Sequence, residues 1–163
     1  MAINYKESKL LTLKVVFLIS LFMVASCSSK KALEKEKKEV VQYFKSIHVP
    51  VQNNLHYLIV PSYSCPTCVE KVLKTLDQYK IFVNVILIDK SKKDVKSLSD
   101  KYPGLNFYSD PLGKFYNKKY NRINNLASFQ KMVYFKLQSK SLHALKLITV
   151  KNVNKVLFQI INE

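Results

Sequence analysis

Two nearly all-apolar runs of strand length, Leu55 to Val60 (LHYLIV) and Ile81 to Ile88 (IFVNVILI), constrain this chain more than any other feature. Runs so short and unbroken read as strands covered on both faces. Around them the apolar residues keep helical period instead. Leu33, Val40, Val41, Phe44 and Ile47 predict an amphipathic helix over 33–47, ending before Pro50. Val69, Val72, Leu73 and Leu76 predict another in VEKVLKTLDQY. Residues 91–102 (SKKDVKSLSDKY) read as a surface helix that starts at a Ser91 cap and stops before Pro103, and LNFYS at 105–109 is strand-like. Residues 110–130, rich in Asn and Tyr with a turn at Asp110-Pro111-Leu112-Gly113, show no clear period. Met132 to Leu137 and Leu142 to Thr149 suit a hairpin, and Val153 to Ile161 a closing helix. Strands alternating with helices, followed by an antiparallel pair, imply a mixed α/β sheet with helices on both faces. At 163 residues and 48% hydrophobic content the chain can build one core but not two. With only 2 glycines, few turns needing positive φ and no Gly-rich phosphate cradle are expected.

The first 26 residues read as a targeting segment. Lys6, Lys9 and Lys14 precede an apolar run of 11 residues, Val15 to Ala25. Spanning a bilayer core takes about 20 such residues, so the run is short for an anchor. It ends in Val24-Ala25-Ser26-Cys27, which resembles the lipobox of bacterial lipoproteins. The resemblance implies cleavage before Cys27, lipid attachment to its sulfur, and membrane tethering by two or three acyl chains. Residues 27–39 would then be a lipidated polar tether and 40–163 the folded domain. The expected location is the bacterial cell envelope. Ser28 rather than Asp follows Cys27, which in a Gram-negative cell favours the outer membrane, facing the periplasm. Three cysteines would leave an odd thiol in an oxidising compartment, whereas lipidation of Cys27 leaves an even pair.

That pair is Cys65-Pro66-Thr67-Cys68, set where a strand ends and a helix begins. On a first helical turn, residues three apart share a face, so the sulfurs fall within disulfide reach. Pro66 suits the first helical position, and the turn's free N–H groups favour an anion at Cys65. Thiolate is the nucleophile of disulfide exchange. Pair and element order together resemble the thioredoxin superfamily from about residue 33 to the C-terminus. The resemblance implies a thioredoxin-like three-layer mixed sheet, with an N-terminal helix and an enlarged connection before the final hairpin. It makes Cys65 the attacking sulfur and Cys68 the resolving one, with Pro66, Thr67 and Met132 against the substrate. Two positions depart from the family. No proline follows Pro111, so Lys131 and Met132 stand where thioredoxins carry a cis-proline. Ile59 stands where they carry a buried acid, leaving proton handling at Cys68 to water, to a side chain such as Glu70, or to nothing.

The activity expected is envelope thiol–disulfide exchange on exported proteins with thiols or disulfides, without a cofactor, and with a membrane electron-transfer protein as possible donor. The alternative is a non-catalytic thioredoxin-like binding module or a Cu(I) metallochaperone, since soft thiolates suit Cu(I). A structural disulfide is a weak reading, because so small a loop constrains the unfolded chain by only about 2 kcal/mol. Structural zinc needs two more ligands, and His48, His56 and His143 are not paired at ligand spacing; no metal site is expected. Pro61, seven residues before Cys68, also matches a peroxiredoxin spacing, but Cys65 then occupies that motif's Thr or Ser position. The formal charge of +16 is almost all lysine, with Arg122 the only arginine, and the lysines are scattered. Bidentate recognition of bases and phosphates favours arginine, so no nucleic-acid partner is expected.

Overall fold

The computed structural model describes residues 35, 37–120, 125, 131–138 and 142–162. The leader, Cys27 and most of the tether lie outside them. Helix α1 covers 37–46, starting a little before the expected domain boundary at residue 40. It is followed by β1 (His56–Val60), α2 (Pro66–Gln78), β2 (Val83–Ile88), α3 (Lys92–Lys101) and β3 (Asn106–Asp110). Two single turns of 3-10 helix, Lys114–Tyr116 and Lys118–Tyr120, lead toward β4 (Met132–Leu137), β5 (Leu142–Ile148) and α4 (Val153–Ile161). Ser91 caps α3 as its sequence suggests, and in a reciprocal box: its Oγ accepts from the Asp94 N–H while the Asp94 carboxylate accepts from the Ser91 N–H.

The five strands lie in the order β3-β2-β1-β4-β5. Strands β1, β2 and β3 run parallel, β4 is antiparallel to β1, and β5 returns antiparallel to β4. Together with helices on both faces, this is the thioredoxin-like mixed sheet that the sequence suggests. Strand alternation divides the core in two. Leu58, Val60, Val83, Val85, Leu87 and Met132 meet α2, α4 and the inner side of α3. Tyr57, Ile59, Ile86, Ile88, Val133 and Phe135 meet α1 on the opposite face. Every residue of β2 is buried, which accounts for its nearly continuous apolar run.

Residues 110–120, the described part of the stretch unreadable by period, are organised by one buried carboxylate. Asp110 is fully buried, and its side chain accepts from Tyr43 Oη (3.0 Å), Lys114 N (3.0 Å) and Phe115 N (2.8 Å). It thereby pins the 3-10 turns to α1, where the rings of Phe115 and Tyr120 meet Tyr43 edge-on at 5.3 and 5.5 Å.

Scarcity of glycine does not spare the chain positive φ, as composition suggested it would. His48, Asn54, Lys80 and Asp89 all adopt it, beside Gly113. Two of them end helices. Val49 N donates to Phe44 O with His48 left-handed, and Ile81 N donates to Leu76 O with Lys80 left-handed. These are Schellman closures, whose geometry is dictated by the unsatisfied last carbonyls of the helix, whichever residue must supply it.

Candidate active site

Strand β1 delivers the chain to Pro61, a turn closes through Ser64 N donating to Pro61 O (3.0 Å), and α2 begins. Cys65 is its N-cap and Pro66 occupies the first turn, where no backbone donor is missed. The first helical hydrogen bond runs from Val69 N to Cys65 O. Cys65 is half-buried and Cys68 is 7% exposed, and both are free thiols.

The two sulfurs are 2.8 Å apart, with Cys68 donating to Cys65. Cys65 Sγ also lies 3.1 Å from Thr67 Oγ1 and accepts from Cys68 N at 3.4 Å. Three donors thus converge on one sulfur, and hydrogen bonds to the charged form favour ionisation. They bring the Cys65 thiol down to about 7, the Cys68 thiol contributing most, then the Thr67 hydroxyl, then the Cys68 N–H, against a small opposing effect of desolvation. The helix N-terminus, the sequence-based reason for a thiolate here, acts through the backbone N–H groups of Cys68 and, more weakly, Thr67, both behind the two side-chain donors. Cys68 moves the other way: its bond to Cys65, its burial and the Cys65 charge all push it up, while Thr67 and Lys71 oppose. The asymmetry makes Cys65 the more readily ionised of the two sulfurs. It disfavours the peroxiredoxin spacing, which would require Cys68 in that role.

The other candidate positions separate. Pro66 and Thr67 are exposed beside Cys65. Met132 begins β4 at the same end of the sheet but is only 1% exposed, and it belongs to the core cluster that contains Cys68. So buried, its side chain has almost no surface to offer a substrate. Ile59 belongs to the α1-side cluster and Cys68 to the α2-side one, so position 59 offers Cys68 nothing. Glu70 is not a proton reservoir for Cys68 either. Its carboxylate binds Lys101 Nζ at 2.6 Å in a pair more than half exposed, and Lys101 holds it below the usual carboxylate range. Among the described residues, no group of three or more His, Cys, Asp or Glu side chains could hold a metal ion. Nor is any helix among them long and apolar enough to cross a membrane.

Sequence reasoning missed the neighbourhood beyond the CPTC motif. Leu98, Lys101 and Tyr102 of the α3 region line a cleft with Pro66 and Val69 of α2. Residues 91–102 read as a surface helix, whereas Val95 and Leu98 pack against the core and Tyr102 is buried in it.

No protein-family model matches the chain, and neither does any curated protein. Among solved structures, reduced Prx3 from Vibrio vulnificus is similar at 11% identity and a TM-score of 0.46, over 76% of this chain and 86% of that one. The fold assignment rests on the strand order and directions described above.

Proposed function

We propose that this protein is a thiol–disulfide oxidoreductase of the bacterial envelope, anchored by lipid on Cys27, with Cys65 and Cys68 exchanging disulfides in exported proteins. The observation that carries the reading is the convergence of Cys68 Sγ, Thr67 Oγ1 and Cys68 N on the Cys65 sulfur.

The Cys65 thiolate attacks one sulfur of a substrate disulfide. A bond forms between Cys65 and that sulfur, and the other substrate sulfur leaves as a thiolate. The charge on Cys65 is then gone. That charge was among the causes raising Cys68, whereas Lys71 favours its ionisation, so Cys68 becomes more acidic once the mixed disulfide exists. Its proton passes to the departing thiolate. Cys68 then attacks Cys65 Sγ and closes the Cys65–Cys68 disulfide, and the second substrate sulfur leaves as a thiolate that takes its proton from water. Two electrons have moved from the dithiol to the substrate, and the reverse sequence oxidises a substrate dithiol. The resolving thiol is thus silent before the first step and activated by it.

The test is insulin reduction by the full-length chain in detergent, with dithiothreitol as electron donor. Turnover that disappears in Cys65→Ser supports the reading. Turnover that survives Cys65→Ser overturns it, as does tight Cu(I) uptake by a wild-type chain that shows no turnover.

A further inference from the structure

A cleft of about 280 Å³ opens between α2 and the α3 region, next to the redox pair. Val60, Leu73 and Leu87 supply its buried apolar floor. Pro66 and Val69 line it from α2, and Leu98 and Tyr102 line it from the other side. Pro66 belongs both to the cleft and to the CPTC motif, so an occupant sits one residue along the chain from the attacking sulfur. Pockets for cofactors and other small-molecule ligands usually measure about 300 to 1,000 Å³, so this one suits a single large side chain better than a nucleotide or prosthetic group.

Three ionised groups line it, Lys90, Lys101 and Glu70, all exposed. Glu70 matches Lys101, and the excess positive charge comes from Lys90. Ser64 also lines the cleft, and its buried hydroxyl has no hydrogen-bond partner among the described residues.

We propose that this cleft is a specificity pocket for substrate polypeptides, seating one large apolar side chain near the reacting cysteine and, through Lys90, favouring a carboxylate beside it. The proposal rests on the dithiol exchange proposed above. The chemistry is unchanged by it: Cys65 forms the mixed disulfide with the peptide's sulfur, and Cys68 releases the peptide as a thiol. The cleft acts on encounter and residence.

The test uses the full-length chain in detergent, with dithiothreitol as donor and short peptides whose single cysteine carries mercaptoethanol as a mixed disulfide. Four peptides place Phe or Ala, and Asp or Lys, next to that cysteine. Hydroxyethyl disulfide, which has no side chain to seat, reports the dithiol chemistry alone. The Phe–Asp peptide is expected to exceed the Ala–Lys peptide at least tenfold in kcat/KM, chiefly through KM, as filling an apolar pocket gives. Leu98→Trp, which fills the cleft, should remove the preference for Phe. Lys90→Glu, which leaves the packing alone, should invert the order of the Asp and Lys peptides. Neither variant should alter the rate with hydroxyethyl disulfide. Peptide rates within twofold of one another, with hydroxyethyl disulfide reduced normally, overturn the pocket and leave the dithiol reading standing. A wild-type chain inert toward hydroxyethyl disulfide overturns the dithiol reading itself.

Discussion

Replacing Thr67 by Val removes one of the three donors on the Cys65 sulfur while keeping the shape of the side chain. The hydroxyl sits 3.1 Å from Cys65 Sγ and is the second-largest cause of a thiol brought down to about 7. An ordinary cysteine titrates near 8.5, so loss of one donor of three should raise the midpoint by about half a unit or slightly more. A higher pKa also makes the remaining thiolate a better nucleophile, with a Brønsted coefficient of about 0.4–0.5. The two effects oppose each other. Exchange with hydroxyethyl disulfide should therefore slow about twofold at pH 5.5, where thiolate is scarce, and quicken by somewhat less than twofold at pH 9, where both proteins are ionised. The assay is the pH–rate profile of the variant and the wild type, with thiolate absorbance near 240 nm as an independent titration. Two superimposable profiles would refute the role given to the Thr67 hydroxyl. A wild-type midpoint near 8.5 would remove the whole account of Cys65. The sign for the couple follows from the same shift. A depressed folded-state pKa stabilises the reduced protein above the unfolded thiol's pKa, and this stabilisation is lost as pH falls through about 7. The disulfide form has no such group. The reduction potential should therefore fall by about 59 mV per pH unit below about pH 7 and by about 30 mV per unit above it, until Cys68 titrates.

Asp110→Ala should destabilise the fold by about 2–4 kcal/mol in urea, because three donors lose their acceptor in a buried site, whereas Tyr43→Phe should cost only about 1 kcal/mol. Equal effects would contradict the anchoring role of the carboxylate. Ser91→Ala removes the side-chain half of the α3 capping box, leaving the backbone N–H of position 91 on the Asp94 carboxylate, and should lower stability by about 1 kcal/mol, measured the same way. Lys80→Gly should raise stability by about 0.5–1 kcal/mol, since Lys80 holds a φ of 52° that glycine adopts without strain. Radiolabelled palmitate should appear in the full-length protein and vanish in Cys27→Ala; label persisting in the variant refutes the lipid anchor.

What could be read along the chain were the features that local physics writes locally. The continuous apolar run of β2 reflects burial on both faces, and the Ser91 cap of α3 lies three residues from its Asp94 partner. The hydrogen-bonded cluster at Cys65 was also legible, because a cap position and its first-turn neighbours are set by spacing alone, and Cys65, Thr67 and Cys68 are neighbours in sequence. Tertiary structure decided whatever depends on residues that meet across long separations. The sequence alone could not show that Asp110 would be buried by Tyr43, 67 positions away, and so order a stretch with no period of its own. It could not show that Met132 would be buried in the core cluster that contains Cys68. The partner of Glu70, 31 residues downstream, was equally hidden, and with it the loss of that carboxylate as a proton store. The cleft has the same origin: its two walls come from separate helices, and only the crossover that lays α3 beside α2 brings them together.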